Sequence, residues 1–187
     1  RICWTSARGL SRCLARSSDP EGLVYRALPA PGEDARDLFG FVGAWLPPAL
    51  AVSAGWGAWE GDRLAGALLL ERADTAAMLY GPVVVASDTP DPDAAVEIAA
   101  RLLDDALSLA EAQGIITLYT RPQSLDRVWV RNGFIPIPEA DLPEALRGRP
   151  GIGLFGWRGG TAIWSMAGRA EAARRAAAPP TAGRRRR

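Results

Sequence analysis

At 187 residues the chain is long enough for one domain with tails. All 22 of its basic residues are arginine and it has no histidine, which excludes Ser-His-Asp and Cys-His catalysis and histidine-containing zinc sites. The net charge of +1 hides a division: residues 1–18 carry four Arg and no acid, residues 169–187 carry seven Arg and one Glu, and residues 19–168 carry 11 Arg against 20 acids.

Residues 1–22 read as a basic extension. Cys3 and Cys13 lie within it, too few for a disulfide scaffold or a four-cysteine metal site, so a reducing cytoplasm is expected. A first strand starts near Leu23. Leu38, Phe39, Val42 and Trp45 then recur at helical spacing, which predicts a helix from Glu33 to Leu46 that Pro47 ends. GWGAWEGDRLAGALLLER reads as a hairpin turning at Glu60-Gly61-Asp62-Arg63. Ala76 to Ala86 is the next antiparallel strand, and Gly81-Pro82 inside it predicts a bulge or an edge.

From Val83 the pattern changes type. Val83-Val84-Val85 is the β-branched run of a strand buried on both faces. Asp93 to Gln113 has helical periodicity. Glu97, Arg101, Asp104, Ser108 and Glu111 fall on a solvent face, while Val96, Leu103, Leu107 and Ala110 turn inward. Gly114 stops the helix and GIITLYT resumes as a strand parallel to the previous one. Phe134 to Pro138 and Gly151 to Arg158 supply two further strands. Thr161 to Ala178, Ala-rich with spaced Arg, reads as a final helix.

Strand, loop, long helix, strand and the closing VWVRNGF together resemble the central half of the GNAT acyltransferases, over residues 23–158. The resemblance implies an α/β (α+β) domain with a mixed, mostly antiparallel sheet of six to seven strands flanked by helices, between the extension 1–22 and an Arg/Ala-rich C-terminal helix and tail at 159–187. It implies that the fourth strand bulges and splays from the fifth to open a cleft. It also implies that acetyl-CoA would lie against Val84, Val85 and the helix-start amides of Asp93, Ala94 and Ala95.

Two motifs depart from that family. Where a glycine- and arginine-rich loop is expected, the chain has Ser87-Asp88-Thr89-Pro90-Asp91-Pro92-Asp93, with two prolines lacking N–H groups and three carboxylates. Unit charges 4 Å apart interact by roughly 4 kcal/mol at an effective dielectric of 20, so these carboxylates oppose a pyrophosphate. Asp91 as N-cap, Pro92 at the first helical position and Asp93 at the positive helix end account for them structurally. At the general-acid Tyr of the family stands Trp129, whose indole N–H has no usable acidity. Tyr119 and Tyr80 are possible substitutes for the acid, and Glu60 and Glu71 for a base. Gly151-x-Gly153-x-x-Gly156 lies inside an apolar strand pattern and does not suit a dinucleotide.

Of seven tryptophans, Trp45, Trp56, Trp59, Trp129 and Trp157 fall in core elements. Trp4 and Trp164 fall in the extensions beside arginines. Trp4, Arg8, Arg12, Trp164, Arg174 and Arg175 are therefore the candidate partner-docking residues, unless the tails fold back on their own domain. Three readings follow. The first is a GNAT-fold protein without transfer activity or bound cofactor, an accessory or structural subunit in a larger assembly, docked through its extensions on a protein partner or at the periphery of an anionic membrane surface. The second is an active N-acetyltransferase using acetyl-CoA. The third, a nucleic-acid module, is disfavoured by an acidic body that repels phosphates. No metal site is expected.

Overall fold

The computed structural model describes residues 22–29, 32–47, 50–85, 92–147 and 163–167. Seven strands form one sheet: β1 (Leu23–Ala27), β2 (Ala54–Glu60), β3 (Arg63–Ala73), β4 (Ala76–Val84), β5 (Thr117–Thr120), β6 (Ile135–Ile137) and β7 (Ile163–Ala167). Their spatial order is β1-β2-β3-β4-β5-β7-β6, and β4–β5 is the parallel pair among antiparallel neighbours. Helices α1 (Glu33–Phe41), α2 (Pro92–Ala112) and α3 (Asp126–Arg131) and two single 3-10 turns, Glu139–Asp141 and Glu144–Leu146, cover it. This is the mixed, mostly antiparallel sheet that the sequence leads one to expect.

Alternation along the strands divides the apolar side chains between two cores. On one face Leu68 and Leu70 of β3, Leu79 of β4 and Leu118 of β5 meet Ala99, Leu102, Leu103 and Ala106 of α2 and Val128 and Trp129 of α3. On the other, Leu69, Met78, Tyr80 and Tyr119 meet Leu38 and Phe39 of α1 and Leu142 and Leu146 around the 3-10 turns. The five residues assigned to the solvent face of α2 are all exposed. Of the four turned inward, Leu103 and Ala110 are buried and Val96 and Leu107 half-buried.

All three helices end in the same way. Gly43, Gly114 and Gly133 take φ of +68°, +68° and +83°, values that glycine adopts without strain. After each, an N–H reaches back five residues: Ala44 to Phe39, Ile115 to Ala110 and Phe134 to Trp129. That is the Schellman closure, which satisfies otherwise orphaned carbonyls. At α3 it brings the Phe134 ring edge-on to Trp129, with centroids 4.9 Å apart.

Three expectations are corrected. Helix α1 stops at Phe41, not Leu46, because Gly43 closes it before the apolar spacing runs out; Val42 is exposed and Trp45 lies half-buried in the following loop. Ile163–Ala167 is strand, not part of a helix over 161–178 or of a C-terminal helix beginning at 159. It pairs with both β5 and β6, so the sheet extends past residue 158. Val83 is buried, but Val84 and Val85 are half-buried, so that run is not enclosed on both faces. The proposed strand at 151–158, its glycine motif and Trp157 lie outside the described residues.

Candidate functional site

The fork between β4 and β5 is built by one extra residue. Ala67 pairs with Val83 but Leu69 with Tyr80, so Gly81-Pro82 stands opposite Leu68 as a β-bulge. Gly81 has φ +91°, and a Cβ there would lie 2.8 Å from the Ala67 carbonyl and 3.0 Å from the Phe39 ring. No other residue fits. β4 pairs with β5 only from Ala76–Thr117 to Leu79–Thr120. Beyond Leu79 it follows β3 alone, and the side once facing β5 is open. At the fork Thr120, fully buried, donates its hydroxyl to the Leu79 carbonyl at 3.2 Å. That satisfies an acceptor near the end of the ladder.

The candidate cofactor residues line this gap unequally. The Val85 N–H donates to Ala65 on β3 at 2.8 Å, so it is committed within the sheet. Successive residues of a strand point their amides to opposite sides, which turns Val84 toward the gap. α2 begins at Pro92, the first helical position, as the sequence implies. Its free amides then start at Asp93 and continue through Ala94 and Ala95. The Asp93 side chain is exposed on that first turn.

These residues do not fit a coenzyme A pyrophosphate well. Proline removes one of the four helix-start donors, a carboxylate occupies the first turn, and no cation lies among the described residues of that turn. The gap offers a strand backbone for an extended ligand but little for a doubly charged anion.

The two candidate acids are on opposite faces of the sheet. Trp129 is 0% exposed, the largest fully buried side chain of the described residues, packed beneath α2. It is a core residue. Tyr119, on β5, is buried on the α1 face, where burial and, to a smaller extent, the Asp141 carboxylate push its phenol above the ordinary value. A phenol so placed holds its proton more tightly and is a weaker acid.

Of the candidate bases, Glu60 is exposed and ion-paired with Arg63 across the hairpin turn. Glu71 differs from its reading as a solvated strand-end carboxylate: it is 4% exposed and accepts a 2.7 Å hydrogen bond from Tyr80 Oη. With Tyr119, the pair makes the α1 face the one carrying buried ionisable groups. Trp164 sits in β7 opposite Thr120 and Pro136. Trp4, Arg8, Arg12, Arg174 and Arg175 lie outside the described residues.

Two features escape the sequence reading. Gln123, just after β5, accepts from the Trp45 N–H at 2.8 Å and donates to the Trp45 carbonyl at 3.1 Å, joining the loops at the end of the fork. A cavity of about 490 Å³ lies between α1 and the β2–β3 hairpin, lined by Asp34, Asp37, Phe41, Trp59, Asp62 and Leu64 among others. The spacing of Asp34, Asp37 and Phe41 along α1 is a readable stripe. Its meeting with Asp62 depends on long-range packing.

Among the described residues no three His, Cys, Asp or Glu side chains gather to hold a metal ion, and no helix is long and apolar enough to cross a membrane.

No protein-family model matches the chain, and no curated protein matches its sequence. Solved structures do resemble its fold. N-acetylglutamate synthase from Neisseria gonorrhoeae, in complex with coenzyme A and N-acetyl-glutamate, superposes with a TM-score of 0.56 at 16% identity over 78% of this chain and 35% of its own. An acetyltransferase from Streptococcus agalactiae gives 0.55 at 13% identity over 79% of this chain and 99% of its own. A GNAT-family protein from Desulfovibrio desulfuricans gives 0.52 at 15% identity over 78% and 98%. The chain spans 66%, 35% and 33% of the first three structures matched. With the bulged fourth strand and the β4–β5 fork in place, the fold of this chain is GNAT-like.

Proposed function

We propose that this GNAT-fold chain has lost acetyl-transfer chemistry and works by binding, as an accessory or structural subunit held in a larger protein assembly by its basic, tryptophan-bearing extensions. The observation that carries this reading is Trp129: where the family resemblance reserves a general-acid tyrosine, a non-acidic side chain is fully enclosed in the core. The start of α2 adds to it, since Pro92 and Asp93 weaken the anion site. Docking falls to Trp4, Arg8, Arg12, Trp164, Arg174 and Arg175 against an acidic protein surface in the cytoplasm, with an anionic membrane leaflet as the other surface of matching charge.

A second reading, an N-acyltransferase dependent on acetyl-CoA, is favoured by the open β4–β5 fork. There the chain would act by positioning an amine, with water or Tyr119 taking up the proton work. Calorimetric titration with acetyl-CoA separates the two. Absence of binding at millimolar ligand is expected; micromolar binding overturns the first reading and directs attention to amine acceptors.

A further inference from the structure

We propose that the acidic cavity between α1 and the β2–β3 hairpin is a docking site for the Arg184–Arg187 run of this same chain. Asp34 and Asp37 from α1 and Asp62 from the hairpin turn project at its rim, and among the described residues none of the three carboxylates has a hydrogen-bond or ion-pair partner. Phe41, 78% exposed, lies one turn along the same stripe of α1. A guanidinium can pair with the carboxylates and stack on the ring.

Trp59 narrows the class of ligand. It lines the cavity, is nine-tenths buried, and its Nε1–H has no acceptor. Both that nitrogen and the Leu64 methyl stand over Gly57, which sets the donor beside another cavity-lining side chain. A buried donor left unmatched costs about 1–3 kcal/mol. A metal ion or a polyamine has no oxygen to accept from it. A peptide carbonyl does, so cation and acceptor together specify an arginine-rich peptide. Arg26 already stacks its guanidinium 4.1 Å over the Trp59 ring, the same chemistry within the fold.

The chain supplies such a peptide. Residues 168–183 link Ala167 to the arginine run, a tether that reaches up to roughly 55 Å. Seven strands span only about 30 Å. Tethering gives an effective concentration on the order of millimolar, so weak contacts suffice. The charge division, a body of −9 and a C-terminal segment of +6, favours the same pairing. The inference stands apart from the loss of transfer chemistry.

The test follows the Trp59 indole N–H signal by NMR in the full chain, assigned with Trp59→Phe. Replacing Arg184–Arg187 with Ser should shift that signal, and added tetra-arginine peptide should return it. Asn at positions 34, 37 and 62 should weaken peptide binding at least tenfold. Neutralising Glu97, Asp104 and Glu111 on α2 should change it less than twofold. Equal losses from the two sets would reduce the effect to general charge attraction and overturn the proposal. So would a Trp59 signal indifferent to the tail substitutions, even if the free peptide binds.

Discussion

On its α2 face the sheet meets a layer in which the buried side chains are apolar, centred on Trp129 and closed by Phe134. On its α1 face the same strands present Glu71, Tyr80 and Tyr119, and α1 leaves an acidic cavity at its outer edge. Strand parity alone separates the two sets: Leu70 and Glu71 are neighbours in sequence and face opposite cores. The α2 face stabilises the fold by burial; polar and ionisable groups are confined to the α1 face and to the fork. A position that carries catalytic machinery in proteins of similar fold is here given over to packing.

Breaking the apolar face should have the largest effect. Trp129→Ala should cost about 4 kcal/mol in urea unfolding, because the largest fully buried side chain leaves a cavity. Trp129→Tyr should cost less and confer no transfer activity; acetylation of an amine by that variant would show that the acid alone was missing. At the join between the faces, Gly81→Val should cost about 3 kcal/mol from a positive φ and the clash with Ala67 and Phe39, measured in the same way.

On the polar face effects should be smaller. Tyr80→Phe removes the hydroxyl that Glu71 accepts and should cost about 1–2 kcal/mol. A double-mutant cycle with Glu71→Gln would show whether the two act as a unit. The smallest effect belongs to Asp105 on α2, whose carboxyl is raised above the ordinary value by burial, an upward push that Arg101 opposes and Asp104 reinforces. A raised folded-state value means stability present below about pH 3.8 is lost as pH rises through that value. Asp105→Asn should therefore be more stable than the parent at pH 7, and the gain should vanish by pH 3.

Much of the α2 face was legible in the sequence because helical periodicity and glycine stops are local signals. Gly114 ended α2 where the chain implied, and Gly81-Pro82 announced the bulge. Long-range coverage was not legible. Glu71 read as a solvated carboxylate because nothing nearby in sequence reveals that the segment around Leu142 and Leu146 covers that face. Ile163–Ala167 read as helix because its Ala-rich surroundings outweighed its own Ile and Trp, while the pairing that makes it a strand comes from β5 and β6. The Schellman glycine at 43 was overruled by an apolar spacing that continued past it.

The paired hydrogen bonds between Gln123 and the Trp45 backbone give a loop residue the exchange behaviour of one inside a sheet. Its amide proton should exchange with solvent far more slowly than those of other loops, since release requires the connection after α1 and the segment after β5 to part. Gln123→Ala should return that proton to loop-like exchange. The Trp45 amide is thus a clock for opening of the fork, readable without knowing what enters it.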